Sequence, residues 1–274
     1  MTSPVIEYYS KRFYEDLRLQ VDSRGTLEWI RTIDILKRFL PPAPSTIIDF
    51  GGATGVYSLW LLEQGYGVHL VDLVPAHVEV ARQKFEDLAP KSNWTATVGD
   101  ARNFDFPDSS IDIILLMGPL YHVQESKDRI KILNEAFRVL KPGGLLFCTI
   151  ISKFASFLDG LDNDYIRDPE FRQIIKGDLI NGCHNNPTCK PEYFTTAYFQ
   201  HPDELKMELQ ESGFVDIQLI GIEGLLWVSK DLENLMKDKK AWAASLEFIR
   251  TIESDKSIIG ISPHIMGIGV KPSQ

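Results

Sequence analysis

From residue 46 to residue 152, short apolar runs rich in β-branched residues alternate with segments of helical period, and this alternation constrains the fold more than any other feature. The runs are TIIDF (46–50), VHLVD (68–72), WTATVGD (94–100), IDIILLM (111–117) and LLFCTIIS (145–152). Between them lie 56–65, closed by Gly65 and Gly67; 75–88, with Val78, Ala81, Phe85 and Leu88 at spacings of three and four; and 126–140, with Ile130, Leu133, Phe137 and Leu140 similarly spaced. Strands apolar on both faces and separated by helices can bury themselves only in a parallel sheet covered on both sides. The predicted architecture is α/β, a doubly wound Rossmann-like sheet.

The flanks fit the same domain. Tyr9, Phe13 and Leu17 make a helical stripe, and a second helix from Thr26 carries Trp29, Ile33, Leu36 and Leu40 before Pro41 and Pro42 stop it. After residue 152 the rhythm breaks. A helix over 202–212 ends at Gly213, VDIQLIGIE (215–223) reads as a strand, 231–253 as helical, and HIMGIGV (264–270) as a last strand, expected to run antiparallel in the same sheet. One domain over 1–274 follows, with N-terminal helices (1–40), a core (41–152), a lid insertion (153–200) and a C-terminal part of the sheet (201–274) holding a helical insertion at 225–258.

Composition narrows the function. The net charge of −9 and the lack of a run of Lys and Arg disfavour a nucleic-acid partner. Three cysteines, Cys148, Cys183 and Cys189, do not form a disulfide framework. The first residues carry no secretory pattern, and no apolar run approaches the ~20 residues that span a bilayer. The expectation is a reduced, cytoplasmic protein with no membrane partner.

The loop after the first strand, DFGGATG (49–55), sits where open parallel sheets bind ligands, outside the carboxyl ends of the strands. Gly51, Gly52 and Gly55 do not match the G-x-G-x-x-G of a dinucleotide site, and no Lys-Ser/Thr pair marks a P-loop. IIDFGGATG instead resembles the first motif of the class I S-adenosylmethionine (SAM)-dependent methyltransferases, with Asp49, Gly51 and Gly55 on its acid and outer glycines and Ala53 in place of the middle one. Asp72 closes the second strand about 20 residues further on, where an acid can accept from ribose hydroxyls. VGDARNF sets Asp100 and Ala101 at the end of the third strand, and ILNEAFRVLKPGGLLFCTI is similar to the family's later helix, turn and fifth strand.

The resemblance implies a SAM site with S-adenosylhomocysteine as product. It places Asp49, Gly51, Gly52, Ala53 and Gly55 at the loop, Asp72 and Leu73 beside the ribose, Asp100 and Ala101 beside the adenine, and Met117 at the tip of the fourth strand. Tyr9 is the expected contact from the N-terminal helix. A cofactor without phosphates needs no helix N-terminus packed under an anion, and its cationic groups favour nearby carboxylates.

The residues after the fourth strand, MGPLYHV, face the transferred methyl in this family. They lack the Asn/Asp-Pro-Pro-aromatic motif of amine methylation, the Pro-Cys pair of cytosine-C5 enzymes, and the strand-four acid of the magnesium-dependent type. What remains resembles the ubiquinone-biosynthesis-like, small-molecule branch, and no metal is expected. His122 is the base candidate, since a free imidazole titrates near pKa ~6.5; a hydrogen-bonded loop histidine reads the same way. Tyr121 either donates to the acceptor or packs. The 153–200 insertion holds eight aromatics among 48 residues, richer than the chain's 11%, as expected of a lid over an apolar acceptor pocket or of ordinary packing. Cys183, His184 and Cys189 lack the spacing of a structural zinc site, and His201 with Pro202 reads as a helix start. The leading reading is methyl transfer to a small molecule; methylation of RNA or protein, and SAM binding without turnover, are the alternatives.

Overall fold

The computed structural model describes residues 4–10, 15–20, 22–89, 91–188 and 190–273; Phe13 of the N-terminal stripe and Cys189 lie outside them. Helices α1 (Pro4–Ser10), α2 (Glu15–Arg18) and α3 (Ser23–Phe39) precede the sheet. The core then runs β1 (Thr46–Phe50), α4 (Val56–Glu63), β2 (Gly67–Asp72), α5 (Pro75–Leu88), β3 (Trp94–Val98), β4 (Ile111–Leu116), α6 (Ser126–Val139) and β5 (Leu140–Ser152). Strands β3, β2, β1, β4 and β5 lie side by side and parallel, so chain order reverses between β1 and β4. That reversal opens the crevice in which such sheets bind ligands.

Consecutive residues on each central strand feed different layers. Ile47 and Ile113 pack with Leu36 of α3, Leu61 of α4 and Phe85 of α5. Their neighbours Ile48 and Ile114 pack with Ile132 and Leu133 of α6 on the opposite face. All of these side chains are buried, each stabilising the fold by about 1.5–3 kcal/mol relative to exposure. This is the two-faced burial that the apolar runs predict.

Two helical stripes differ from expectation. In α5, His77, Val78, Ala81 and Phe85 are buried, whereas Leu88 at the helix end is exposed. In α6 the buried set is Arg129, Ile132, Leu133, Ala136 and Val139. Ile130 and Phe137 only flank it, because the helix turns Arg129 inward to meet a buried acid. Leu17 of the N-terminal stripe is exposed as well.

Beyond β5 come α7 (Ala155–Asp162), α8 (Pro169–Asn181), β6 (Cys183–His184), β7 (Ala197–Gln200), α9 (Pro202–Glu211), β8 (Val215–Gly221), α10 (Leu232–Lys237), α11 (Lys239–Ile252) and β9 (His264–Val270). Strand β9 inserts antiparallel between β5 and β8, the predicted reversed strand. Strand β7 pairs parallel with the last residues of β5 and β6 pairs back onto it, so the segment over α7 and α8 is stitched to the sheet's carboxyl edge. The helix expected over 231–253 is two helices, since the Asp238 carboxylate accepts from the Lys240 and Ala241 amides and starts a new N-terminus. His201 caps α9, with Pro202 at its first position.

Candidate active site

The glycine loop explains its own composition. Gly51 has φ +72°, and a Cβ there would come within 2.8 Å of Pro119, so the loop after β1 and the turn after β4 approach each other only through a glycine. Gly55, at φ +81°, faces backward: a Cβ would meet the Phe85 ring at 2.7 Å. It serves the packing of α4 on α5 and does not line the cavity above the sheet. Ala53 adopts φ +47° and spends its amide on Asp72 Oδ2, 2.9 Å away.

That cavity runs along the carboxyl ends of β1, β2, β3 and β4. Apart from Gly55, the residues anticipated from the sequence all line it: Tyr9, Asp49, Gly51, Gly52, Ala53, Asp72, Leu73, Asp100, Ala101, Met117, Tyr121 and His122. Asp72 is buried and fixed, accepting from Ala53 N and, at 2.8 Å, from Val74 N. Each carboxylate oxygen has a second lone pair for a ligand hydroxyl. Asp100 is paired with Arg102 through a 2.5 Å contact, and this hydrogen bond holds its carboxyl below the usual range despite partial burial.

Asp49 is the electrostatic anomaly. It is fully buried, Ser58 donates to its Oδ2 at 2.7 Å, and its Oδ1 has no partner among the described atoms. Burial, with the nearby Asp72 charge adding, pushes its pKa up to about 6. An orphaned buried acceptor facing a cavity fits a ligand that brings a cation or an N–H donor. The acid lining and the tight glycine loop therefore fit SAM, whose amino-acid end carries an ammonium.

At the other end, Tyr9 Oη and His122 Nε2 are 3.1 Å apart. The His122 ring lies 4.7 Å from Tyr121 and 5.8 Å from Phe194, centroid to centroid, and its Nδ1 is sealed from solvent. Burial pushes the His122 pKa down to about 4, with the Thr196 backbone and Asp72 opposing. This corrects the expectation of titration near neutrality: the imidazole is uncharged at any physiological pH. Tyr121, on the cavity lining, donates to the Met117 carbonyl at 3.2 Å.

The 119–124 turn that carries these groups is held from below. Arg129 donates to the carbonyls of Val123 and Gln124 and forms a buried ion pair with Glu208 of α9 at 2.7 Å. Gln124 Nε2 donates to the carbonyls of Ala197 and His184, tying the turn to the 153–200 insertion, none of whose described residues lines the cavity itself. His184 is itself buried against Asp178, 2.9 Å away, and the Tyr193 carbonyl. The CHNNPTC segment thus uses its histidine as a strut.

Of the lining residues that escaped the sequence reading, two stand out. His77, one turn into α5, is buried with its Nε2 unpartnered among the described atoms, and its ring lies 6.1 Å from that of Tyr9. Its signal was available: a histidine beside the apolar stripe, in the first turn after Asp72. Arg18 lines the cavity near Tyr57 and is clasped by Glu28; nothing local in its sequence marks it. Among the described residues, Glu28, Glu223 and His264 bring metal-ligand-type atoms within 4.8 Å of one another.

A doubly wound sheet with an acidic, glycine-rich crevice of this form defines the class I methyltransferase architecture. The family model described as a methyltransferase domain matches residues 47–144. Ubiquinone/menaquinone biosynthesis C-methyltransferases are similar in sequence. That of Vibrio vulnificus is 31% identical over 185 residues, 65% of this chain and 67% of the relative. That of Rickettsia bellii is 28% identical over 194 residues, 68% and 75% of the two chains. Among solved structures, a SAM-dependent methyltransferase from Methanosarcina mazei superposes with TM-score 0.58 at 21% identity, covering 88% of this chain and 98% of the other. A phosphoethanolamine N-methyltransferase from Haemonchus contortus, bound to phosphomonomethylethanolamine and S-adenosylhomocysteine, gives 0.60 at 17%, covering 99% and 61%. The chain belongs to the class I SAM-dependent methyltransferases, in their ubiquinone-biosynthesis-like branch, and uses SAM as methyl donor. No helix among the described residues is long and apolar enough to cross a membrane.

Proposed function

We propose that this methyltransferase acts on a small-molecule acceptor whose nucleophilic atom carries an ionisable proton. The observation that carries the reading is the enclosure of His122: an uncharged imidazole with one ring nitrogen sealed from solvent, under Tyr9, Tyr121 and Phe194. A nitrogen enclosed by these three rings suits a small acceptor better than a nucleic acid or folded protein. The net charge of −9 supports the same preference. The relatives named as C-methyltransferases of ubiquinone/menaquinone biosynthesis support a small-molecule acceptor.

SAM supplies a methyl group already activated on a sulfonium. The chain's part is to hold, align and manage one proton. Asp72 and Asp100 take the nucleoside, Asp49 the ammonium, and the loop from Gly51 to Ala53 the amino-acid backbone. His122 Nε2, released from Tyr9, accepts the acceptor's proton while Tyr121 and Met117 shape the space beside it. Alignment alone can lower such a barrier by about 7–11 kcal/mol, and a positioned base as weak as this imidazole adds toward the low end of the usual range, about 10²-fold.

The test incubates the full-length protein with methyl-labelled SAM and cell extract, then counts small molecules and macromolecules separately. Protein-dependent label in the small-molecule fraction is expected. Label confined to RNA or protein would overturn the acceptor class, and binding of SAM with no transfer to any fraction would favour a protein without turnover.

A further inference from the structure

One residue of the 153–200 insertion is held in a backbone conformation that its side chain disfavours. Phe194 has φ +64° and ψ −169°, a region occupied almost only by glycine. A bulky residue there is strained, so its surroundings must impose the conformation. Core burial does not account for it, because Phe194 is only half-buried and packs at the margin of the small cluster of Ile151, Ala155, Ala197 and Phe199.

The stretch just before it supplies the constraint. The Tyr193 carbonyl accepts from His184 Nε2 at 2.9 Å, and the Phe194 amide donates to the Pro191 carbonyl at 3.3 Å, so the peptide group before the Phe194 Cα is held on both edges. The Phe194 carbonyl accepts from Asn186 Nδ2 at 2.8 Å, which holds the peptide group after it. The two dihedrals between these groups are thereby fixed. Both holders are themselves anchored. Asp178 Oδ2 lies 2.9 Å from the other ring nitrogen of His184, and Ser156 donates to the same oxygen at 2.5 Å. Asn186 also donates to the Lys190 carbonyl at 2.7 Å and accepts from the Thr188 hydroxyl at 2.7 Å.

The strained backbone brings the Phe194 ring against His122. Its centroid lies 5.8 Å from that of His122 and 6.0 Å from that of His184, with Tyr8 of α1 at 5.7 Å. The titratable groups facing His122 are Tyr9 from α1, Tyr121 from its own turn and Asp72 from β2; those facing His184 are Asp178 and Asp159. We propose that Phe194 is a positioning residue for methyl transfer, and that His184 and Asn186 clamp its backbone so that the ring seats His122 at the cavity. This inference rests on the reading of His122 as an enclosed base. It gives the insertion a part in the reaction although none of its described residues lines the cavity.

The experiment is an NMR pH titration of the full chain labelled on its histidine rings, with the His122→Ala spectrum identifying the His122 signals. In wild type, His122 is expected to take up its proton only at about pH 4, where burial has pushed it. Phe194→Gly suits the backbone angle and removes only the ring, so the chain is expected to fold. His122 protonation should then move up by at least about one pH unit, toward the ordinary value of about 6.5. Methyl transfer from labelled SAM into the small molecules of a cell extract should fall about tenfold, less than on loss of the base itself. His184→Gln and Asn186→Ala should shift the His122 titration in the same direction by a smaller step. Lower stability in urea with the His122 titration unmoved would mark both as merely structural and overturn the clamp. Phe194→Gly with an unmoved titration overturns the proposal as a whole. Should His184→Gln not fold, Asn186→Ala, at a half-buried site, decides alone. If wild-type His122 titrates near neutrality, the enclosed-base reading itself falls, and the two failures are told apart.

Discussion

The two walls of the cavity are built over different distances along the chain. On the cofactor wall, Asp72 caps an amide 19 residues away and Asp49 meets a hydroxyl nine residues away. On the acceptor wall, Tyr9 reaches His122 across 113 residues, Tyr8 reaches the Pro191 carbonyl across 183, and Gln124 reaches Ala197 across 73. The polar contacts of the first wall are local to one strand–loop–helix unit, although its loop also packs against Pro119 after β4. The other exists only once the whole domain has folded. Binding should accordingly track the first wall and turnover the second, and substitutions can separate them.

The sharpest separation is expected at His122. His122→Ala should lower kcat by about 10²-fold while SAM affinity stays within about twofold, as measured by steady-state kinetics beside calorimetry. Because the imidazole's pKa is pushed down to about 4, kcat in the wild type should not fall through protonation of this group anywhere above about pH 5. Equal losses of affinity and turnover would put His122 on the cofactor wall and erase the distinction.

Next in size is the brace under the acceptor wall. Glu208→Ala leaves the buried Arg129 guanidinium uncompensated and should cost about 3–5 kcal/mol in urea denaturation. The conservative change Glu208→Gln should cost less and lower turnover more than SAM affinity, since Arg129 also holds the Val123 and Gln124 carbonyls.

On the cofactor wall, Asp72→Ala removes the acceptor for two backbone amides as well as any ligand hydroxyl. SAM binding should weaken by about 1.5–3 kcal/mol. Unchanged affinity in calorimetry would remove Asp72 from the site.

How much of this could be read beforehand follows from the same contrast. The strands other than β6 and β7, the reversed β9, the glycine loop and the acids at the ends of β2 and β3 were legible because each is written in a short segment. Ile130 and Phe137 misled, because the buried face of α6 also carries Arg129, whose partner Glu208 lies 79 positions away. His77 was legible but unread. Arg18 was not legible at all: its partner is nearby, but the His264–Glu223 pair behind that partner comes from the chain's other end.

Asp49 offers a smaller effect with a definite sign. Its folded carboxyl titrates near pH 6, above an ordinary aspartate, so the folded chain holds this proton more tightly than the unfolded one. The group's contribution to the stability of the ligand-free protein is therefore greatest below about pH 4 and is lost as pH rises through 6. A cationic ligand reverses the preference, since it binds the ionised form. SAM affinity should rise up to about tenfold per pH unit below 6 and level off above 7, and Asp49→Asn should flatten that profile.

The smallest expected effect lies at Ala53, where this chain departs from its family's glycine. Ala53 sits at φ +47°, where a Cβ crowds the following carbonyl at a cost of about 1–2 kcal/mol. Glycine would relieve that strain but would also free the unfolded chain, offsetting about 0.4–1 kcal/mol. Ala53→Gly should therefore raise stability by no more than about 1.6 kcal/mol and move SAM affinity less than twofold, because the backbone amide that reaches Asp72 is kept. A large gain in affinity would mean that the alanine methyl, and not only the loop's backbone, touches the cofactor, and that this wall is less purely a backbone device than its short-range contacts suggest.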